Sequence, residues 1–297
     1  MNTLKISKLF IVLILILFSC KKEDQKTVHI KQDSIVKMPV PSEDDLNVNI
    51  DDCEPEKTSA EYITLLENLH RVTIDKISTN SLEENNQLYE HYIKKRLIII
   101  SCLMVIHQKV LDDFINYYDE KINDYNLPPE MKLLQTQLQK VDLEYMGVGE
   151  GFTEIVDSPN HYVKMFKGSV TSDYEDFMKQ ESLENANLYS ADAGIIIPWK
   201  ELGDRVVFWE NFLQKHPQSL LREKAEDLYN RYLDNYIFGM DNTRTSEHGK
   251  LYPEIATEFD RFIKSYPHSK VTLKILNYRK LLDSGKTMEE IRKIMEL

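Results

Sequence analysis

Trp209-Glu210-Asn211-Phe212-Leu213-Gln214-Lys215-His216-Pro217-Gln218-Ser219 and Phe259-Asp260-Arg261-Phe262-Ile263-Lys264-Ser265-Tyr266-Pro267-His268-Ser269 are one pattern written twice, fifty residues apart. The correspondence continues from Leu221, Lys224 and Ala225 to Val271, Lys274 and Ile275. In each copy an aromatic-rich stretch with helical spacing runs into a proline, which disfavours helix at the residue before it. The serine two residues later can accept from the free amides of a following helix. The unit is therefore helix, tight turn, helix. A single hairpin of this size cannot bury its own apolar stripe, and stacking consecutive hairpins hides it. The expectation for residues 199–297 is an α-solenoid-like array of helical hairpins.

Outward from this repeat, the boundary signals are those of helices. Thr58 with Glu61, Ser81 with Glu84, Ser172 with Glu175 and Thr287 with Glu290 fit S/T-x-x-E, in which hydroxyl and carboxylate satisfy each other's neighbouring amides at a helix start. Pro128-Pro129, Pro159, Pro198 and Pro253 sit where a first-turn proline costs nothing, and Gly147, Gly239 and Gly285 follow periodic runs as C-terminal caps. Leu134, Leu138, Val141 and Tyr145 form one apolar stripe, and Ala225, Leu228, Tyr229, Tyr232, Leu233 and Tyr236 form another. The apolar run Leu97 to Ile106 is too short to span a bilayer and reads as the buried middle of a helix from Ser81 to Tyr125. The fold class expected is all-α: a helical bundle over 59–146, a loop with short helices over 147–198, and the hairpins.

The N-terminus carries an address. Lys5 and Lys8 precede an apolar stretch from Leu9 to Phe18, the length of a signal-peptide core. Leu17-Phe18-Ser19-Cys20 resembles a bacterial lipobox, which implies removal of residues 1–19, diacylation of the Cys20 thiol and acylation of the new N-terminus; multiple chains anchor stably where one would not. Lys22-Glu23-Asp24 resembles the surface-export signal of Bacteroidota lipoproteins, so the expected location is the outer membrane, either surface-exposed or periplasm-facing. Residues 20–58, punctuated by Pro39 and Pro41 and charged by Glu43-Asp44-Asp45 and Asp51-Asp52, read as a disordered acidic tether.

At residues 199–283 the pattern aromatic-x-x-Phe-Leu/Ile-x-x-aromatic-Pro-x-Ser is similar to the tetratricopeptide-type hairpins of envelope lipoproteins, such as the one in the outer-membrane β-barrel assembly machine. The spacing departs from that family, because the insert Gly239 to Lys250 stretches the period beyond ~34 residues. The resemblance implies a protein-binding scaffold.

Charge and motifs narrow the function. With 37 basic and 49 acidic side chains the chain is at −12, and loss of Lys5 and Lys8 with the signal takes it to −14, a balance that repels phosphate and argues against nucleic acid as a partner. Beyond Cys20 only Cys53 and Cys102 remain, and a free thiol is expected at each. The glycines of Gly147-Val148-Gly149-Glu150-Gly151 follow an expected helix rather than a strand and read as a cap and loop. Glu67 and His70 form one Glu-x-x-His where a carboxylate-bridged metal bundle needs two. No metal, cofactor or catalytic residue is expected, and the chain reads as a non-enzymatic, lipid-anchored scaffold that binds another envelope protein. The candidate contact residues are Met240, Asp241, Asn242 and Arg244 in the insert and Tyr229, Tyr232 and Tyr236 on the helix before it. The alternative is an accessory lipoprotein that binds a small ligand or glycan in a deep aromatic pocket.

Overall fold

The computed structural model describes Cys53 and residues 56–296 apart from Asn123 and Glu150. The signal segment 1–19, Cys20 and nearly all of the tether 20–58 lie outside the described residues. What is described is mostly helical, with eleven α-helices and only short strand pairs.

α1 (Ser59–Ile77) and α2 (Leu82–Ile106) start at the two capping boxes read from the sequence, Thr58 with Glu61 and Ser81 with Glu84. They pack through Tyr62, Leu66 and Leu69 on one side and Leu88, Tyr92, Ile99 and Leu103 on the other. α2 does not run on to Tyr125. It ends at His107, whose Nε2 lies 2.7 Å from the Ser59 hydroxyl, and no glycine or proline marks the break. A short α3 (Gln108–Asp113), a 3₁₀ turn (Phe114–Tyr117) and the two-residue strands β1 (Tyr118–Asp119) and β2 (Asp124–Tyr125) follow.

α4 (Pro129–Gln139) carries Leu134 and Leu138 into the core, but its stripe stops before Val141 and Tyr145. Asp142 adopts a positive φ of 53°, and the chain turns into β3 (Leu143–Gly149), paired antiparallel with β4 (Phe152–Asp157). The reason is local: Leu143, Glu144, Tyr145 and Met146 alternate at the period of a strand, which a helical reading of Tyr145 overlooks. Gly147 is thus no helix cap, and Gly149 and Gly151, with φ of +97° and +81°, shape the turn between the strands. The segments expected as a pure helical bundle and as a loop therefore share a β-hairpin.

α5 (His161–Phe166) and α6 (Ser172–Ala186) come next. The expected box at Ser172 and Glu175 does not form: Thr171 is the N-cap, and Glu175 instead accepts from the Gly168 amide at 3.0 Å. β5 (Ser190–Ala191) and β6 (Gly194–Ile195) close a tight hairpin at Asp192-Ala193, both with positive φ.

The repeat folds as two helical hairpins, α7 (Trp199–Lys215) with α8 (Arg222–Phe238) and α9 (Pro253–Ser265) with α10 (Lys270–Asp283). Between them lie β7 (Gly239–Met240) with β8 (Thr243–Arg244), and β9 (Ser246–Glu247) with β10 (Lys250–Leu251). The two turns are alike in detail. The Ser219 hydroxyl accepts from the Leu221 amide and donates to Asp173 on α6 at 2.5 Å; the Ser269 hydroxyl accepts from the Val271 amide and donates to Glu210 on α7 at 2.6 Å. Each turn is thereby fastened to an acid on an earlier helix, the first to the helix just ahead of its hairpin and the second to the first helix of the preceding hairpin. The stripe residues Trp209, Phe212, Tyr232, Tyr236, Phe259 and Phe262 are buried, each contributing about 1.5–3 kcal/mol in burial. α11 (Met288–Met295) starts at the Thr287–Glu290 box and lays Ile291 and Met295 against the end of the array.

The cysteines correct the sequence reading. Cys53 and Cys102 form a disulfide, with Cα atoms 5.1 Å apart, that fastens the chain ahead of α1 to α2.

Candidate functional site

A crevice made of two separate cavities flanks α2. Tyr89, Ile93 and Leu97 line its first half, and Ser101 and Val105, with Gln108 at the start of α3, line the second; from Tyr89 to Val105 the helix advances about 24 Å at 1.5 Å per residue. The β3–β4 hairpin lines it in register: Glu144, Met146 and Val156 beside the first half, Val148, Phe152 and Glu154 beside the second. Alternation puts these side chains on one face of the hairpin, while Leu143, Tyr145 and Ile155 turn to the other and pack in the core. The first half is a cavity of about 370 Å³ completed by Phe177, Met178 and Glu181 of α6; the second, of about 640 Å³, is open and ends at the turn Asp192-Ala193. Gly149 brings the hairpin tip against that turn, where a Cβ would stand 2.7 Å from Asp192 Oδ1.

The crevice collects apolar side chains that water would otherwise meet. Leu97 is 53% exposed, Val105 64% and Phe152 62%. Exposed apolar residues grouped in a concave surface with a polar rim mark contact sites, whereas single ones do not.

A buried polar network holds the hairpin onto α2. Arg96, almost wholly buried, donates to Asp157 and to the carbonyls of Val141 and Asp142; Tyr162 also donates to Asp157. Burial works against the charge on Arg96, and the Asp157 carboxylate together with Tyr92 and Tyr162 more than offsets it. On the same helix Tyr92 OH lies 2.8 Å from His161 Nε2, and His161 Nδ1 lies 3.1 Å from Asp142. Burial, with Arg96 adding repulsion, lowers His161 to about 4, and burial raises Tyr92 to about 12. The chain Asp142, His161, Tyr92 has the connectivity of an acid–base relay, but its terminal hydroxyl belongs to a fully buried residue and meets only protein. It works as a clamp.

The acids in and behind the first half differ in their state. Asp157 is taken by Arg96 and Tyr162, Glu144 accepts from Ser158 at 3.2 Å, and Glu90 pairs with Lys224 at 2.8 Å. The Glu181 carboxyl accepts no hydrogen bond from the described residues; burial raises it to about 7, against Lys224 and helped by Glu184 and Glu90. Behind it Glu184 is fully satisfied by Trp209 Nε1 at 2.9 Å, Tyr232 OH at 2.9 Å and Gln180 at 2.7 Å.

The residues read as contacts from the sequence sit elsewhere. Tyr232 and Tyr236 are buried and hydrogen-bond to Glu184 and Glu258, so neither ring is offered to a partner; Tyr229 is half-buried. Helical spacing alone could not separate a core stripe from a binding stripe. Asp241 and Arg244 are exposed and Met240 is half-buried. Asn242 holds the insert in place: its amide donates to the Asp192 carbonyl at 2.6 Å and its backbone N–H to the Ala193 carbonyl at 3.0 Å. Cys20 lies outside the described residues. Glu67 and His70 stand at a small cavity beside Arg96 and His161, and among the described residues no three histidine, cysteine or acidic side chains gather as metal ligands. A helix-and-loop reading of 129–157 hides the crevice, because its wall is the β3–β4 hairpin; the alternation from Leu143 to Met146 is the signal that reveals it.

Comparison of the chain with known protein families, with curated proteins and with solved structures finds no match.

Proposed function

We propose that this is a non-enzymatic, lipid-anchored protein of the bacterial outer membrane that grips an extended segment of another envelope protein in the α2 crevice. Anchoring rests on the lipobox resemblance at Cys20, and the Bacteroidota-type export resemblance at Lys22-Glu23-Asp24 favours the cell surface. The Cys53–Cys102 disulfide supports an oxidising envelope compartment. In this reading α7 to α10 are a tetratricopeptide-like solenoid segment, supported by the matching fastenings Ser219 to Asp173 and Ser269 to Glu210. They serve as the rigid end of the molecule, and the contact lies on the crevice rather than on the insert.

The observation that carries the proposal is that α2 and one face of the β3–β4 hairpin together line both halves of the crevice, the strand face from Glu144 to Val148 extending about 13 Å, the span of roughly four residues of extended chain. Blocking its open half with Val105→Arg and Phe152→Arg, in the tagged chain with Cys20 intact, is expected to abolish recovery of a discrete envelope protein after crosslinking of intact cells. Recovery equal to that with the unblocked chain would contradict it. Alongside, Cys20→Ser is expected to release the protein from the membrane fraction.

A second reading, a small-ligand or glycan pocket, is favoured by the first half alone, where Tyr89, Tyr162 and Phe177 line about 370 Å³ together with convergent acids. It differs from the first in needing no partner protein: the ligand would bind the purified chain and be untouched by the two arginines in the open half.

A further inference from the structure

We infer that the first half of the crevice is a cation subsite, which takes a primary ammonium or guanidinium carried on an apolar stem. The inference rests on the crevice as a contact site and names what its closed end recognises. The apolar walls Ile93, Leu97, Met146 and Phe177 fit a stem, and the acids Glu144, Asp157 and Glu181 line the same cavity beside the neutral Ser182 and Asn185. Among the described residues Lys224 is the one basic side chain lining this half, and its ammonium is held by Glu90. Asp157 is neutralised by Arg96. Glu181, half-buried in the cavity wall, has no hydrogen-bond donor and no ion pair in contact among the described residues, Lys224 acting on it only from a distance. An incoming cation supplies both, in a charge-assisted hydrogen bond worth roughly twice a neutral one. An anion or a neutral polar group would leave the site's net negative charge unanswered.

The cation has two sources, a basic side chain of the bound segment or a free amine, and both would leave the same mark. The groups facing Glu181 are Lys224 from α8, Glu184 from its own helix and Glu90 from α2, with Glu144, Asp157, Tyr89 and Tyr162 around the same cavity. Of these, Glu181 is the group raised to about 7, so a cation binds best where it is ionised. Affinity then rises about tenfold from pH 6 to pH 8 as the ionised fraction grows, while the ammonium itself stays protonated.

The test is calorimetric titration of the full chain with phenethylamine beside phenethyl alcohol, and with a blocked octapeptide of alternating threonine and valine carrying one central lysine beside its norleucine counterpart. The expected result is that each cation binds at least about tenfold more tightly than its neutral counterpart at pH 8, and that Glu181→Gln removes both this preference and the pH dependence. Preference for the lysine peptide with no binding of phenethylamine assigns the cation to a protein segment; tight phenethylamine binding assigns it to a free amine. Equal binding of charged and neutral peptides overturns the cation subsite and leaves the crevice as a contact site. Binding of neither peptide with tight phenethylamine binding keeps the subsite and removes the extended-segment reading. If no probe binds, both fall. Circular dichroism of Glu181→Gln confirms that the variant is folded.

Discussion

Cys53 and Cys102 are joined across 49 residues of sequence, so the chain ahead of α1 is fastened to the buried side of α2. A loop of that length loses enough freedom in the unfolded chain for the bond to contribute about 4 kcal/mol on the chain-entropy account. Reduction, or the pair Cys53→Ser with Cys102→Ala, is expected to lower the unfolding free energy by roughly 2–4 kcal/mol and leave helical content unchanged. Urea titration followed by circular dichroism checks this; coincident curves with and without reductant would refute it.

Glu184 is the buried acid on which α6, α7 and α8 converge. Replacing it by leucine strands the Trp209 N–H and the Tyr232 hydroxyl without an acceptor, at a cost of about 3 kcal/mol or more. Glu184→Gln keeps an acceptor oxygen and is expected to lose less than half as much. The ordering of the two variants, read by Trp209 and Trp199 fluorescence in urea, is the informative result; equal losses would show that the acceptor is unimportant.

The half-buried Glu181 and the buried His161 are both strongly shifted, and their responses to acid oppose each other. The folded state holds the Glu181 proton more tightly than the unfolded chain, from an ordinary 4.5 to about 7, so its stabilisation is whole below pH 4.5 and disappears as pH rises to about 7. The folded state resists protonation of His161, from an ordinary 6.5 to about 4, so that stabilisation is whole above pH 6.5 and disappears as pH falls to about 4. Each amounts to roughly 3 kcal/mol at most, and between pH 6.5 and 4.5 they nearly cancel. The chain is expected to melt at nearly constant temperature over that range. Glu181→Gln is expected to melt higher at pH 7.5 and to lose stability steadily on acidification, as His161 acts unopposed. Parallel melting curves for variant and wild type would contradict this.

Gly239 closes α8 with a φ of +76°, and a Cβ there would stand 2.1 Å from the Thr243 carbonyl oxygen. Gly239→Ala therefore cannot keep the β7–β8 turn that sets Asn242 against Asp192 and Thr243 against the Ile195 amide. A loss of about 2–4 kcal/mol is expected from strain plus the broken contacts. Gly168→Ala, at a similar φ but with open space around it, is expected to lose only about 1 kcal/mol.

The helical part of the fold was legible because helix ends and buried faces are written locally. Thr58, Ser81 and Thr287 cap as their neighbours dictate, and the two proline turns repeat because Trp209 and Phe259 fill equivalent buried positions. The hairpin was hidden for the opposite reason. Tyr145 follows Val141 at helical spacing and also Leu143 at strand spacing, and only the docking of Arg96 on Asp157 and Val141 decides between them. The site was illegible because it joins α2, β3, β4 and α6, which share no motif. The disulfide likewise depends on a closeness of Cys53 and Cys102 that spacing does not encode.

The most direct test of the account places a photo-crosslinking amino acid at Leu97 and at Val105 in the crevice, and as controls at Leu220 and Leu273, which are exposed on the repeat at 77% and 69%. Irradiation of intact cells is predicted to join one discrete envelope protein to the crevice positions and not to the controls. Crosslinks to a discrete protein from Leu220 or Leu273 alone, with none from the crevice, would contradict it and return the contact surface to the repeat.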